Sequence, residues 1–187
     1  MSTVASPLPS STSPEIGPLV IMGVSGCGKT SVGKLLASSL GYSFIEGDSR
    51  HSPANVAKMS QGIPLTDDDR WPWLASLGEE LAADSAVVIS CSALKKSYRG
   101  LLRKEAGRPI TFVFLQGSRT TLVARMSARK GHYMPLSLLD SQLEALELPT
   151  HERDVVTVEI DQPVERIVSI AIAHAAAVAK RQDTSTI

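Results

Sequence analysis

A chain of 187 residues, with 43% hydrophobic and 20% charged residues, has the length and composition of one soluble globular domain with a full core. Nineteen Lys and Arg balance nineteen Asp and Glu, which excludes a global field favouring nucleic acid or an anionic membrane. The two cysteines, Cys27 and Cys91, form neither a disulfide framework nor a metal-ligand pattern, and no apolar run reaches the roughly 18 residues of a bilayer span. The expected setting is reduced and cytoplasmic.

Residues 1–16 are rich in Ser and Pro and read as a disordered tail. A single domain is expected over 17–181, followed by a disordered C-terminal tail over 182–187. Pro18–Met22 is a short apolar run that predicts a buried strand ending at Gly23. Val32, Leu35, Leu36, Ala37 and Leu40 recur at helical spacing over Thr30–Leu40, and Gly41 suits its C-cap. Tyr42–Ile45 predicts a second strand, placed beside the first and closing on the acids Glu46 and Asp48.

A turn at Ser52-Pro53 precedes a short helix through Val56, Ala57 and Met59. Thr66 and Asp69 have capping-box spacing, but Pro72 would clash inside a running helix. The expectation is therefore a tight turn over Thr66–Arg70 and a helix from about Pro72 to Ala83. Strands follow at Ala86–Cys91, Ile110–Leu115 and Asp154–Ile160, the last nearest an edge. Helices are expected at Ala93–Glu105, Arg119–Lys130, Leu136–Glu147 and Pro163–Lys180. The alternation predicts an α/β fold of three layers, a five-stranded parallel sheet with helices on both faces.

Gly23-Val24-Ser25-Gly26-Cys27-Gly28-Lys29-Thr30 matches G-x-x-x-x-G-K-[ST] between a predicted strand and a predicted helix. The glycines let successive N–H groups turn toward phosphate oxygens, and the helix adds its positive end. Lys29 is placed for the β- and γ-phosphates of ATP, and the Thr30 hydroxyl for Mg²⁺. Cys27 lies among these dipoles, which favour a thiolate, but the reading preferred for it is a small residue tolerated at a variable position. Asp48, at the carboxyl end of a strand, suits a base for an attacking hydroxyl, and also suits a turn.

Three further segments are Gly62-Ile63-Pro64-Leu65-Thr66-Asp67-Asp68-Asp69-Arg70-Trp71-Pro72-Trp73-Leu74, Cys91-Ser92-Ala93-Leu94-Lys95-Lys96-Ser97-Tyr98-Arg99 and Arg129-Lys130-Gly131-His132-Tyr133-Met134-Pro135. With the glycine-rich loop they closely resemble the gluconokinase family of small P-loop carbohydrate kinases, from about Leu19 to Pro163. The resemblance implies ATP-dependent phosphorylation of D-gluconate at its 6-hydroxyl. It also implies the P-loop NTPase fold of shikimate and nucleoside monophosphate kinases, a mobile lid over about 129–136, and homodimers.

The resemblance gives the remaining residues their expected roles. Asp48 orients or deprotonates the acceptor. Arg70 pairs with the gluconate carboxylate, unless a neighbouring aspartate takes it, and Lys95 and Arg99 add positive charge. Ser92 bonds a sugar hydroxyl or caps a helix. Arg125 and Arg129 clamp the nucleotide or form a solvated helix face, with Arg125 over adenine and Pro163 on its other side. His132 is a substrate contact or a surface residue of the lid. The family usually has D-x-D where this chain has Glu46-Gly47-Asp48, and the third strand ends without an acid. Metal binding is therefore expected from Thr30 and Glu46, with phosphates and water. A GTPase is disfavoured because no N-K-x-D segment is present to read guanine.

Overall fold

The computed structural model describes residues 16–128 and 136–183. All of the expected lid but its last residue, and most of both expected tails, lie outside the described residues, Arg129 and His132 among them. In chain order the elements are β1 (Leu19–Met22), α1 (Lys29–Leu40), β2 (Ser43–Glu46), a 3-10 turn (Gly47–Arg50), α2 (Pro53–Ser60) and α3 (Asp67–Ala83). They continue with β3 (Val87–Ser90), α4 (Lys96–Ala106), β4 (Thr111–Gln116), α5 (Arg119–Ala128), α6 (Leu136–Ala145), β5 (Val155–Glu159) and α7 (Val164–Asp183).

The five strands are parallel in the order β2-β3-β1-β4-β5. Each strand therefore delivers its carboxyl end to the same edge, where ligands of open α/β sheets collect. The sequence reading puts β2 beside β1; in the structure β3 lies between them. The burial patterns give the reason. All four residues of β3 are buried, as a central strand requires, whereas β2 is only partly buried and suits an edge.

Alternate strand residues feed two separate cores, one on each face of the sheet. Leu19, Ile21, Val113 and Val156 pack with Leu36 of α1, Leu122 of α5 and Ala171 of α7. Val20, Met22, Ile89 and Phe112 face the other way, against Leu74 and Leu77 of α3 and Leu102 of α4.

Two helix starts differ from expectation. α3 begins at Asp67 and runs through Pro72 rather than restarting there. Thr66 Oγ1 accepts from Asp69 N, and the Asp69 carboxylate accepts from Thr66 N, so the capping box closes. Three aspartates sit at the positive end of the helix, and Trp73, Leu74, Leu77 and Leu81 are buried. These gains outweigh the one backbone bond that Pro72 cannot make in the second turn. α4 begins at Lys96 rather than Ala93 because Ala93 is left-handed, with φ 45°, the sole non-glycine positive φ among the described residues.

Candidate active site

The β1–α1 loop forms a bowl at the carboxyl edge of the sheet. Gly23 has φ 139°, and a Cβ there would lie 2.9 Å from both Cys27 Sγ and the Leu115 carbonyl oxygen. Only glycine fits that turn. The Lys29 ammonium donates to the carbonyls of Gly23 and Val24, each at 3.1 Å, and so holds a positive charge over the bowl. Gln142 of α6 reaches the loop, its Oε1 accepting from Ser25 N at 2.7 Å. Nothing in the polar pattern of α6 marks Gln142 beforehand.

Thr30 Oγ1 donates to Glu46 Oε2 at 2.6 Å. The other carboxylate oxygen of Glu46 accepts from the Ser90 hydroxyl, and Ser90 Oγ accepts from Gly47 N at 3.1 Å. Ser90 ends β3, where the usual acid is missing, and it orients the acid that β2 supplies instead. Gly47 is obligatory: a Cβ there would overlap the Ser90 carbonyl oxygen. Trp73 Nε1 donates to Gly47 O at 2.8 Å, and His51 stacks on the Trp73 ring at 4.0 Å. The Glu46-Gly47-Asp48 corner is thus held from three sides.

Lys29, Asp48, Arg70, Ser92 and Lys95 line one cleft of about 280 Å³ beside the loop, together with His51 and Tyr98. Burial pushes the His51 pKa down, with Arg70 adding and Asp48 opposing, so the ring is neutral at physiological pH. Lys95 Nζ donates to Asp67 at 2.8 Å, and Tyr98 donates to the same carboxylate. Those two bonds hold the Asp67 carboxyl below the usual range, Lys95 contributing most. Lys58 takes Asp69 at 2.7 Å. Among the described residues Arg70 pairs with none of the three aspartates, and its guanidinium lies 5.9 Å from the Tyr98 ring centre. Ser92 caps no helix; Lys95 holds that position at α4.

Arg99 departs from its expected place. It is fully buried, its Nε and Nη2 bound to Glu152 and its Nη1 to the carbonyls of Ala93 and Leu94. Every donor it turns outward is taken inside the protein, so it braces the 91–95 loop and presents no charge to a substrate. Cys27 departs as well. Burial raises its pKa, more than Lys29 and the loop N–H groups lower it, so it is a thiol and not a thiolate. Burial also pushes Cys91 up to about 12. Arg125 bridges the loop and the turn after β5, donating to Cys27 O at 3.4 Å and to Ile160 O. Pro163 follows that turn and is exposed.

A shikimate kinase family model matches residues 25–169. The gluconokinase of Gluconobacter oxydans is 48% identical over 160 residues, 83% of this chain and 89% of that one. A thermosensitive gluconokinase of Escherichia coli is 46% identical over 154 residues, 79% of this chain and 81% of that one. The crystal structure of a gluconokinase from Sinorhizobium meliloti superposes with a TM-score of 0.86 at 53% identity, covering 94% of this chain and 99% of that one.

The chain belongs to the gluconokinase family. Membership makes it a phosphotransferase with an alcohol acceptor, on the P-loop kinase fold. The gluconokinase site also fits Mg²⁺. Thr30 and Glu46 offer hard oxygen donors side by side, and among the described residues no group of three or more His, Cys, Asp or Glu forms a self-sufficient cage. Mg²⁺ commonly takes one or two protein oxygens and completes its shell with phosphates and water. Among the described residues no helix is long and apolar enough to cross a membrane.

Proposed function

We propose that the chain transfers the γ-phosphoryl group of ATP to the 6-hydroxyl of D-gluconate, giving 6-phospho-D-gluconate and ADP. The observation that carries this reading is the sharing of one cleft by Lys29, Asp48 and Arg70, beside a complete phosphate loop, in a chain related to gluconokinases. Phosphoryl transfer asks mainly for positioning and charge stabilisation, and the residues divide those tasks. The loop N–H groups of residues 23–30 and the Lys29 ammonium hold the phosphates. Asp48 accepts the hydroxyl proton as the oxygen attacks phosphorus. Arg70, which makes no ion pair with its neighbouring aspartates among the described residues, pairs with the gluconate carboxylate, and Ser92 and Lys95 contact the sugar-acid chain.

Thr30 and Glu46 would hold Mg²⁺, which supplies neutralising charge at the β- and γ-phosphates. Arg125 and Pro163 flank the nucleotide base, a reading supported by the bonds of Arg125 to the loop and to Ile160. Arg129 is assigned to the nucleotide and His132 to the acceptor, and both lie outside the described residues. A cytoplasmic setting, supported by the two free cysteines, and assembly as a homodimer complete the proposal.

A coupled assay with gluconate, shikimate, nucleoside monophosphates and glucose as acceptors tests it. ADP release should respond to gluconate above the others. Turnover that ignores gluconate and follows another acceptor would overturn the assignment.

A further inference from the structure

A second cavity, of about 780 Å³, opens at the opposite edge of the sheet, where β4 and β5 begin and α4 and α7 end. Its rim carries Arg103, Arg108, Arg153 and Arg181, and Ile110 and Val178 line its wall. Four arginines and one carboxylate, Asp154, line this cavity in a chain whose formal net charge is zero, and Asp154 is already paired with Arg103. Arg103 is held rigidly: Nε donates to Asp154 Oδ2 at 2.7 Å, Nη2 bonds Glu152, and the guanidinium lies 4.8 Å from the centre of the Phe112 ring. Arg108 and Arg153 are exposed and have no ion pair or hydrogen bond among the described residues. Guanidinium groups of this kind are forks for phosphate or carboxylate oxygens, and the cavity has the volume of a small-molecule site.

We propose that this cavity binds a small anion with an apolar body, and that its occupancy is felt in the catalytic cleft. The anionic group sits among Arg108, Arg153 and Nη1 of Arg103, whose Nε and Nη2 are already bonded to Asp154 and Glu152, and the apolar body rests on Ile110 and Val178. The link to the cleft is a run of contacts. Arg103 shares Glu152 with Arg99, and Arg99 holds the carbonyls of Ala93 and Leu94. That loop carries Ser92, Leu94 and Lys95 into the cleft. An anion drawing on Arg103 strengthens the claim of Arg99 on Glu152 and so shifts the loop. None of this depends on which sugar acid is the acceptor.

The test uses 8-anilinonaphthalene-1-sulfonate, an apolar anion that fluoresces on binding, with the catalytic cleft filled by a non-hydrolysable ATP analogue and gluconate. Saturable fluorescence is expected, with the Kd at least about tenfold weaker in the Arg108→Ala/Arg153→Ala double variant. Without the dye, that variant should keep kcat and the acceptor KM within about twofold of wild type, because neither arginine touches the cleft. Displacement by phenyl phosphate against benzoate tells a phosphomonoester from a carboxylate. With the dye, the acceptor KM should move at least about twofold in wild type and stay still in the double variant. Equal dye affinity in the two proteins, or no saturable signal, overturns the site. An unmoved KM overturns the coupling, and a cavity found covered by a second copy in sedimentation overturns free access to it.

Discussion

Asp48 lines the cleft, and the residue before it is pinned through both backbone groups, Gly47 N by Ser90 and Gly47 O by Trp73. Replacing Asp48 with Asn keeps the shape and removes the proton acceptor. Asp48→Asn should lower kcat by about 10²- to 10⁴-fold while leaving the thermal transition in place. A variant with near-normal turnover would remove Asp48 from the chemistry. Cys27 gives a second expectation at this scale. Its buried thiol should react with iodoacetamide at neutral pH no faster than the unfolding rate allows, and Cys27→Ser should change inactivation little. The place of Asp48 beside the phosphate loop was readable from sequence, because a strand ending at it delivers it to the carboxyl edge of the sheet. Arg99 was not, because its partner Glu152 lies 53 residues away and no local pattern announces a buried pair. The His51–Trp73 stack escaped for the same reason.

Helices α2 and α3 are joined through Asp69, which takes Lys58 Nζ and the Thr66 N–H, while Asn55 Nδ2 donates to its carbonyl at 2.8 Å. Lys58 first, and Thr66 next, pull the Asp69 pKa from 3.8 to about 2. The folded value lies below the unfolded one, so this stabilisation is full above about pH 4 and disappears as pH falls through about 2. Melting curves of wild type and Lys58→Met should therefore differ near pH 5 and converge toward pH 2. A gap that stays constant with pH would assign Lys58 some other role. Thr66→Ala should cost about 1 kcal/mol, the usual loss for a helix cap. The spacing of Thr66 and Asp69 showed the cap in the sequence. What the sequence left out was the weight of burial along α3, which carried the helix through Pro72.

Two cores on opposite faces of one sheet make the molecule a single cooperative unit with two independent packings. Leu36→Ala and Leu77→Ala open cavities that share no partner. Each should cost about 2–5 kcal/mol, and the double variant should equal their sum within about 0.5 kcal/mol, measured by urea unfolding. A large excess over the sum would mean that the faces communicate through the sheet. Strand and helix alternation was plain in the sequence, since each element carries its own period. Strand order was not, because pairing β2 with β3 instead of β1 depends on which strand the whole assembly buries. The bare backbone at Gly47 bears on how such an enzyme can diversify. It fixes Asp48 in the cleft wall, which cannot retreat for a bulkier acceptor. New sugar acids would have to be accommodated by the other lining residues, such as Met59, Ile63 and Leu65, which can change outline without disturbing Asp48. A library built to alter acceptor choice belongs on those residues, with position 47 left untouched.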